Sequence, residues 1–195
     1  AATCLSYDNS ALAVLVPGQG AASVQANFDR DNRDAVLERL QMGHRANDIL
    51  AELTHPEYDD RHYWRQYGVV SRHDEEVVTD GFSGVGISEW AGRVDSAEHG
   101  VTVQGNFLES GAVVEEALGA FIAAEGHGVL LADRLLRALE AGSAAGGDRR
   151  CNEGGVRQTC MSASVPETMQ GGSGNQGIRT GWARVVSSSV RARAA

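Results

Sequence analysis

The stretch Gly100-Val-Thr-Val-Gln-Gly-Asn-Phe-Leu-Glu-Ser110 decides how the chain is read. It reads as a short strand that breaks at Gly105 and feeds directly into an amphipathic helix. Gln104 and Asn106 then fall at the joint between strand and helix, a position suited to presenting chemistry. Beyond the joint, Ser110 is placed to cap a helix reaching about Glu125, with Val113, Val114, Ala117, Leu118, Phe121 and Ile122 on one stripe. Gly126-His-Gly128 ends it, and a further helix from about Val129 to Gly142 turns Leu130, Leu131, Leu135, Leu136 and Leu139 inward. At roughly 2 kcal/mol per fully buried leucine, this helix pair supplies much of the apolar drive to fold.

Upstream, Ala11 to Val16 and Ala21 to Asn27 read as successive strands about a Pro17-Gly-Gln-Gly20 turn. Asp29 or Asp31 caps a helix with Ala35, Val36, Leu37 and Leu40 on one face, ended by Gly43. A second short helix follows, with Ala46, Ile49, Leu50 and Leu53 inward and Pro56 beyond its end. His55 to Arg65 reads as a solvated polar loop, Gln66 to Ser71 and Glu76 to Asp80 as a second hairpin, and Gly81 to Gly92 as an irregular glycine-rich segment. Gln158 to Val165 is again strand-like, and from Pro166 the composition shifts to a glycine-rich connector and one possible strand from Ile178 to Val190. Strands, two helices, strands, two helices, strands is an order that favours an α+β layered domain with two mostly antiparallel sheets.

Composition narrows the function. At 195 residues the chain holds one domain with a full core. A net charge of -9 argues against tracking a phosphate backbone or an anionic membrane surface, so no nucleic-acid partner is expected. All 17 basic residues are Arg, which removes Schiff-base and phosphate-clamp lysines. No apolar run approaches the roughly 20 residues of a membrane span. Cys4, Cys151 and Cys160 permit one disulfide and a free thiol, a Cys151 to Cys160 bridge being worth about 2–3 kcal/mol, or three buried thiols. Cysteine usage and the Ala1-Ala2 start point to a secreted or periplasmic protein.

Several residues resemble a known pattern: Ser23-Val-Gln-Ala26, Arg65-Gln-Tyr-Gly-Val-Val70, Val103-Gln-Gly-Asn-Phe-Leu108, Leu131-Ala-Asp-Arg-Leu-Leu-Arg-Ala-Leu-Glu140, Ala145-Gly-Gly-Asp-Arg-Arg150 and Arg157-Gln-Thr159. In this order, over roughly residues 4 to 165, they resemble a bacterial and archaeal family, a domain of unknown function with an Ntn-hydrolase-like fold. The resemblance implies a four-layer αββα sandwich over residues 1–165, with residues 166–195 a divergent C-terminal extension. It also implies that this chain starts after the family's first strand, near Ala2-Thr-Cys4, and that first strand carries the nucleophile in Ntn hydrolases.

An N-terminal nucleophile works because its own α-amine, with a pKa near 8, serves as base. Ala1 has no nucleophile, whereas Thr3 or Cys4 would serve if trimming exposed them; otherwise both are structural. Gln25, Asn27, Gln104 and Asn106 fall near strand ends and are suited either to hold an oxyanion or amide ligand or to satisfy buried backbone groups. Asp148, Arg149 and Arg150, with Arg157 and Gln158, are suited to hold a carboxylate or to brace two loops. His55, Asp59, Asp60 and His62 match no metal spacing, and neither a P-loop nor a nucleophile elbow occurs, so no metal or cofactor is expected.

Two function classes remain. One is a non-catalytic module that binds a small amide or peptide, or assembles as a homo-oligomer or around a strand donated by another segment or chain. The other is an amidohydrolase of the N-terminal-nucleophile type.

Overall fold

The computed structural model describes residues 9–125 and 128–152. Ala13–Val16 (β1) and Gly20–Gln25 (β2) form the expected hairpin, with Ala13 opposite Ser23 and Val16 opposite Gly20. Its turn passes through Gly18 at φ 79°, a left-handed conformation that glycine adopts without strain. Gln66–His73 (β3) and Glu76–Ser83 (β4) form a second hairpin, and β3 joins β2 to give the antiparallel order β1-β2-β3-β4. Trp90–Ser96 (β5) and Val101–Leu108 (β6) pair antiparallel as a second sheet. With four α-helices and two antiparallel sheets among the described residues, the chain is an α+β domain.

Strand alternation sorts the first sheet into two chemical faces. Val14, Val24, Tyr67 and Val69 point one way and meet Arg30–Gln41 (α1) and Ala46–Leu53 (α2). There Val36, Leu40, Ile49, Leu50 and Leu53 complete the core. Asp29 caps α1 by accepting a hydrogen bond from the Asp31 N–H at 2.9 Å. The start of α2 is held from the sheet, since Ser71 Oγ accepts from the Ala46 N–H at 2.8 Å. Gln66 and Gly68 point the other way and meet the second sheet. Ala112–Ala123 (α3) and Leu131–Ala144 (α4) pack Ala117, Phe121 and Ala138 against Val101 and Val103 of β6.

Four expectations need correction. The strand does not break at Gly105 but runs through it to Leu108. Gly105 is glycine because Leu108 folds over it, a Cβ there falling 2.5 Å from Leu108 Cδ1. Ser110 is no side-chain cap: α3 begins after Gly111, and Ser110 contributes only its carbonyl, to the Val113 N–H at 3.3 Å. The segment from Gly81 to Gly92 is not wholly irregular, because β4 continues to Ser83 and β5 begins at Trp90. The strand-like stretches Gln158 to Val165 and Ile178 to Val190 lie outside the described residues.

The fourth correction concerns the segment before β3, which is not a solvated loop. Asp59 is 8% exposed and Arg65 4%. Arg65 Nε donates to Asp59 Oδ2 at 2.7 Å, Nη2 to Asp59 Oδ1 at 3.3 Å and to Asp29 Oδ2 at 3.2 Å, and Nη1 to the Asn27 carbonyl. Asn32 Nδ2 donates to Asp59 Oδ2 at 2.7 Å and to the Tyr67 hydroxyl at 2.8 Å. Burial alone would raise the Asp59 carboxyl, but the bonds from Arg65, the Arg61 N–H and Asn32 outweigh it and hold the group below its ordinary value. Burial pushes the Tyr67 phenol up to about 12, so it stays neutral.

A buried pair that loses one partner leaves an unpaired charge, so Arg65→Leu is expected to reduce unfolding free energy by about 3–5 kcal/mol in urea at neutral pH. A loss below about 1 kcal/mol would mean the pair behaves like a surface bridge. The depressed Asp59 carboxyl contributes stability that is full above its unfolded pKa, about 3.9, and drains away as pH falls through the folded value. Asp59→Asn should therefore be less stable at pH 7 and show a shallower acid limb.

Candidate functional site

Register brings three polar side chains into one row. Gln25 of β2 is opposite Gln66 of β3, and Gln66 is opposite Ser83 of β4, all on the face turned to the second sheet. Gln66 is fully buried. Its Nε2 donates to Ser83 Oγ and to the Gly105 carbonyl, both at 2.8 Å, and more distantly to the Gly92 carbonyl at 3.4 Å. A carbonyl can only accept, so the Gln66 amide has one orientation, with Oε1 as the acceptor. That oxygen receives Gln25 Nε2 at 2.6 Å and Asn106 Nδ2 at 2.9 Å. Gln25 Oε1 accepts from Ser23 Oγ at 3.2 Å, and Asn106 Oδ1 accepts no hydrogen bond from the described residues. Gln25 and Asn106 are both half-buried.

The backbone turns sharply beside each donor. Ala26 and Asn27, which follow Gln25, have φ of 55° and 47°, and Phe107, which follows Asn106, has φ of 55°. Glu89, just before β5, has φ of 63°. A left-handed non-glycine residue costs roughly 1–2 kcal/mol, least for Asn, and persists where surrounding contacts over-determine it. Here the Asn27 carbonyl is held by Arg65, and the Phe107 ring lies 4.2 Å beneath the Arg150 guanidinium. Opposite Phe107 the β5–β6 register slips between Trp90 and Gly92, so strained residues and a strand irregularity meet at one end of both sheets.

Of the residues singled out from sequence, Gln25 and Asn106 therefore converge. Asn27 stands beside them and offers its carbonyl to Arg65. Gln104 lies between the sheets against Gly68, its Oε1 buried without a partner among the described residues. Asp148 bridges to Leu108, and its carboxylate accepts from the Arg150 N–H at 3.0 Å and Nε at 2.9 Å. Arg149 pairs with Glu89. Thr3, Cys4, Arg157 and Gln158 lie outside the described residues. Sequence reasoning missed Gln66, Ser83 and Ser23; a glutamine opening an otherwise apolar strand was the available signal. Among the described residues no group of three or more His, Cys, Asp or Glu gathers to hold a metal ion, and no helix is long and apolar enough to cross a membrane.

The model of a family described as "Family of unknown function (DUF1028)" matches residues 9–163. A crystal structure of a protein from Silicibacter pomeroyi, assigned to the same family, is similar with a TM-score of 0.63 at 23% identity. The match covers 74% of this chain and 63% of that one, and likeness at this identity speaks for the fold alone. No curated protein matches the chain.

A Cβ at position 68 would fall 2.1 Å from Gln104 Oε1. Gly68→Ala is expected to cost about 1–3 kcal/mol in thermal unfolding, as overpacked sites do. Joined with Gln104→Ala it should recover at least half of that loss, whereas strictly additive effects would mean that the two do not touch.

Proposed function

The chain belongs to the DUF1028 family of unknown function, and on that footing we propose that it is a binding module, with an Ntn-hydrolase-like αββα fold kept without catalysis, that takes a small amide or peptide at Gln25 and Asn106, which Gln66 orients. The observation carrying this reading is the convergence of two half-buried carboxamides on one buried, orientation-locked glutamine. Strained strand ends hold both donors in place, which is the kind of preorganisation a ligand site requires.

The chemistry of the cluster favours holding over reacting. Gln25, Gln66, Asn106 and Ser83 contain no group that takes or gives a proton near neutral pH. The nearest buried ionisable pair, Arg65 with Asp59, is committed to itself and to α1. A carboxamide offers one N–H beside one C=O, and that edge complements the edge of another amide.

An amidohydrolase is the second reading. It would use the remaining N–H of Asn106 toward an oxyanion and Thr3 or Cys4 as nucleophile. The cluster supports it less, because both carboxamides already spend an N–H on Gln66.

The proposal extends to place and assembly. A secreted or periplasmic location is supported by the disulfide at Cys151, since oxidising compartments preserve such bonds. Assembly with a second copy, or with a strand from another segment or chain, is supported by the order β5-β6 among the described residues, in which β5 and, short of the Leu108–Asp148 bridge, β6 offer an outer edge.

The direct test is to incubate the protein with a panel of dipeptide amides, following side-chain NH2 resonances by NMR and product by chromatography. Saturable shifts at Gln25 and Asn106 without product are expected, and Asn106→Ala should weaken binding by roughly tenfold, the loss of about one hydrogen bond. Turnover abolished by Thr3→Ala or Cys4→Ala would instead establish the hydrolase.

A further inference from the structure

We propose that Gln66 is the residue that sets the specificity of this cluster, turning it into a site for an amide N–H and against a carboxylate. This rests on the binding reading above and adds the hydrogen-bond sense of the ligand. The sense follows from a chain of obligations that begins in the backbone. The Gly105 and Gly92 carbonyls can only accept, so Gln66 must turn its NH2 toward them and its oxygen toward Gln25 and Asn106. Those two must in turn direct an N–H inward, at 2.6 and 2.9 Å. What Asn106 keeps in hand is its carbonyl oxygen, which accepts nothing from the described residues. The Gln25 oxygen receives one bond, from Ser23 Oγ at 3.2 Å, and retains a lone pair.

An entering group therefore meets carbonyl oxygens. An amide N–H satisfies them, and its own C=O can meet the second N–H of Asn106 or Gln25. A carboxylate brings only acceptors and is repelled. Among the described residues, the buried or bordering arginines are already committed: Arg65 holds Asp59 and Asp29, Arg149 holds Glu89, and Arg150 holds Asp148. The same polarity makes the cluster a poor oxyanion holder, the opposite of what its composition of Gln and Asn suggests in sequence. Gln66 does not touch the ligand; it is a positioning residue, and its signature is the ratio of affinities rather than affinity itself.

The experiment titrates the full 15N-labelled chain with N-acetylglycinamide and, separately, with N-acetylglycine, two probes that differ only in the terminal group. The amide is expected to shift the Gln25 and Asn106 side-chain resonances with at least a tenfold lower Kd than the acid. In Gln66→Met, which keeps the volume but frees both carboxamides to turn, the preference should collapse to within about twofold. Asn106→Leu, a change at a half-buried position that retains the fold if Gln66→Met does not, removes the outward carbonyl and should likewise lose the tenfold preference for the amide. Equal or tighter binding of the acid at these resonances overturns the assignment while leaving a binding module in place, and so does a preference unchanged in both variants. Absence of any shift with either probe overturns the binding reading together with it.

Discussion

A guanidinium almost shut off from water holds this domain together. Arg65 is charged at every relevant pH, and its burial is tolerated because its donors have acceptors on three different pieces of chain: the carboxylate of Asp59, the carboxylate of Asp29 at the start of α1, and the carbonyl of Asn27 at the end of β2. Through Asn32, Asp59 is also joined to α1 and to the Tyr67 hydroxyl. Lysine could not stand in, because a point charge cannot serve acceptors arranged around a planar fork. Arg65, Gln66 and Tyr67 are consecutive, and each answers to a different neighbour. Arg65 gathers the loops, Gln66 reaches the second sheet, and Tyr67 enters the core beneath α1 and α2.

The contact between the sheets is polar where one expects an apolar seam. Gln66 spans it with bonds to Gly105 and Asn106, while Gly68 and Gly81 leave room for the side chains of Gln104 and Arg93 to lie across the first sheet. Arg93 is met there by Asp80 and Asp95. Such a seam gains little from the hydrophobic effect, which is concentrated instead on the outer faces, where α1 with α2 and α3 with α4 bury the large apolar residues. What the seam provides is a defined geometry, since a satisfied polar network admits fewer arrangements than a greasy one.

Much of this was legible in the residues. The cap at Asp29, the stop at Gly43 and the apolar stripe between them yield α1, and the two hairpins of the first sheet follow from β-branched runs about short turns. Glycine was the main source of error. Gly105 and the glycines from Gly81 to Gly92 read as breaks or irregularity, whereas in the folded chain Gly105 makes space for Leu108, Gly92 for Trp90, and Gly84 and Gly86 for Tyr63, within or beside continuing strands. Gln25 and Asn106 were picked out by their place at strand ends, but their meeting point was not, because Gln66 is 41 residues from one and 40 from the other. Register across such distances depends on which strands become neighbours, and a single sequence does not reveal that. The buried pair of Asp59 and Arg65 was hidden for a different reason: a charged residue in a polar loop reads as solvated until its partner is known.

The carboxamide row has one more consequence, for the surroundings in which the molecule operates. Its members do not ionise between roughly pH 4 and 10, so neither their charge nor their hydrogen-bond sense changes over that span. Acid acts on the buried polar centre through Asp59, whose carboxyl Arg65 and its neighbours hold below the ordinary value, on the far side of Arg65. The tolerance of the domain to an acidified environment is thus decided by its scaffold, and whatever the row holds it would hold alike in mildly acidic and mildly alkaline fluids, until the scaffold itself gives way.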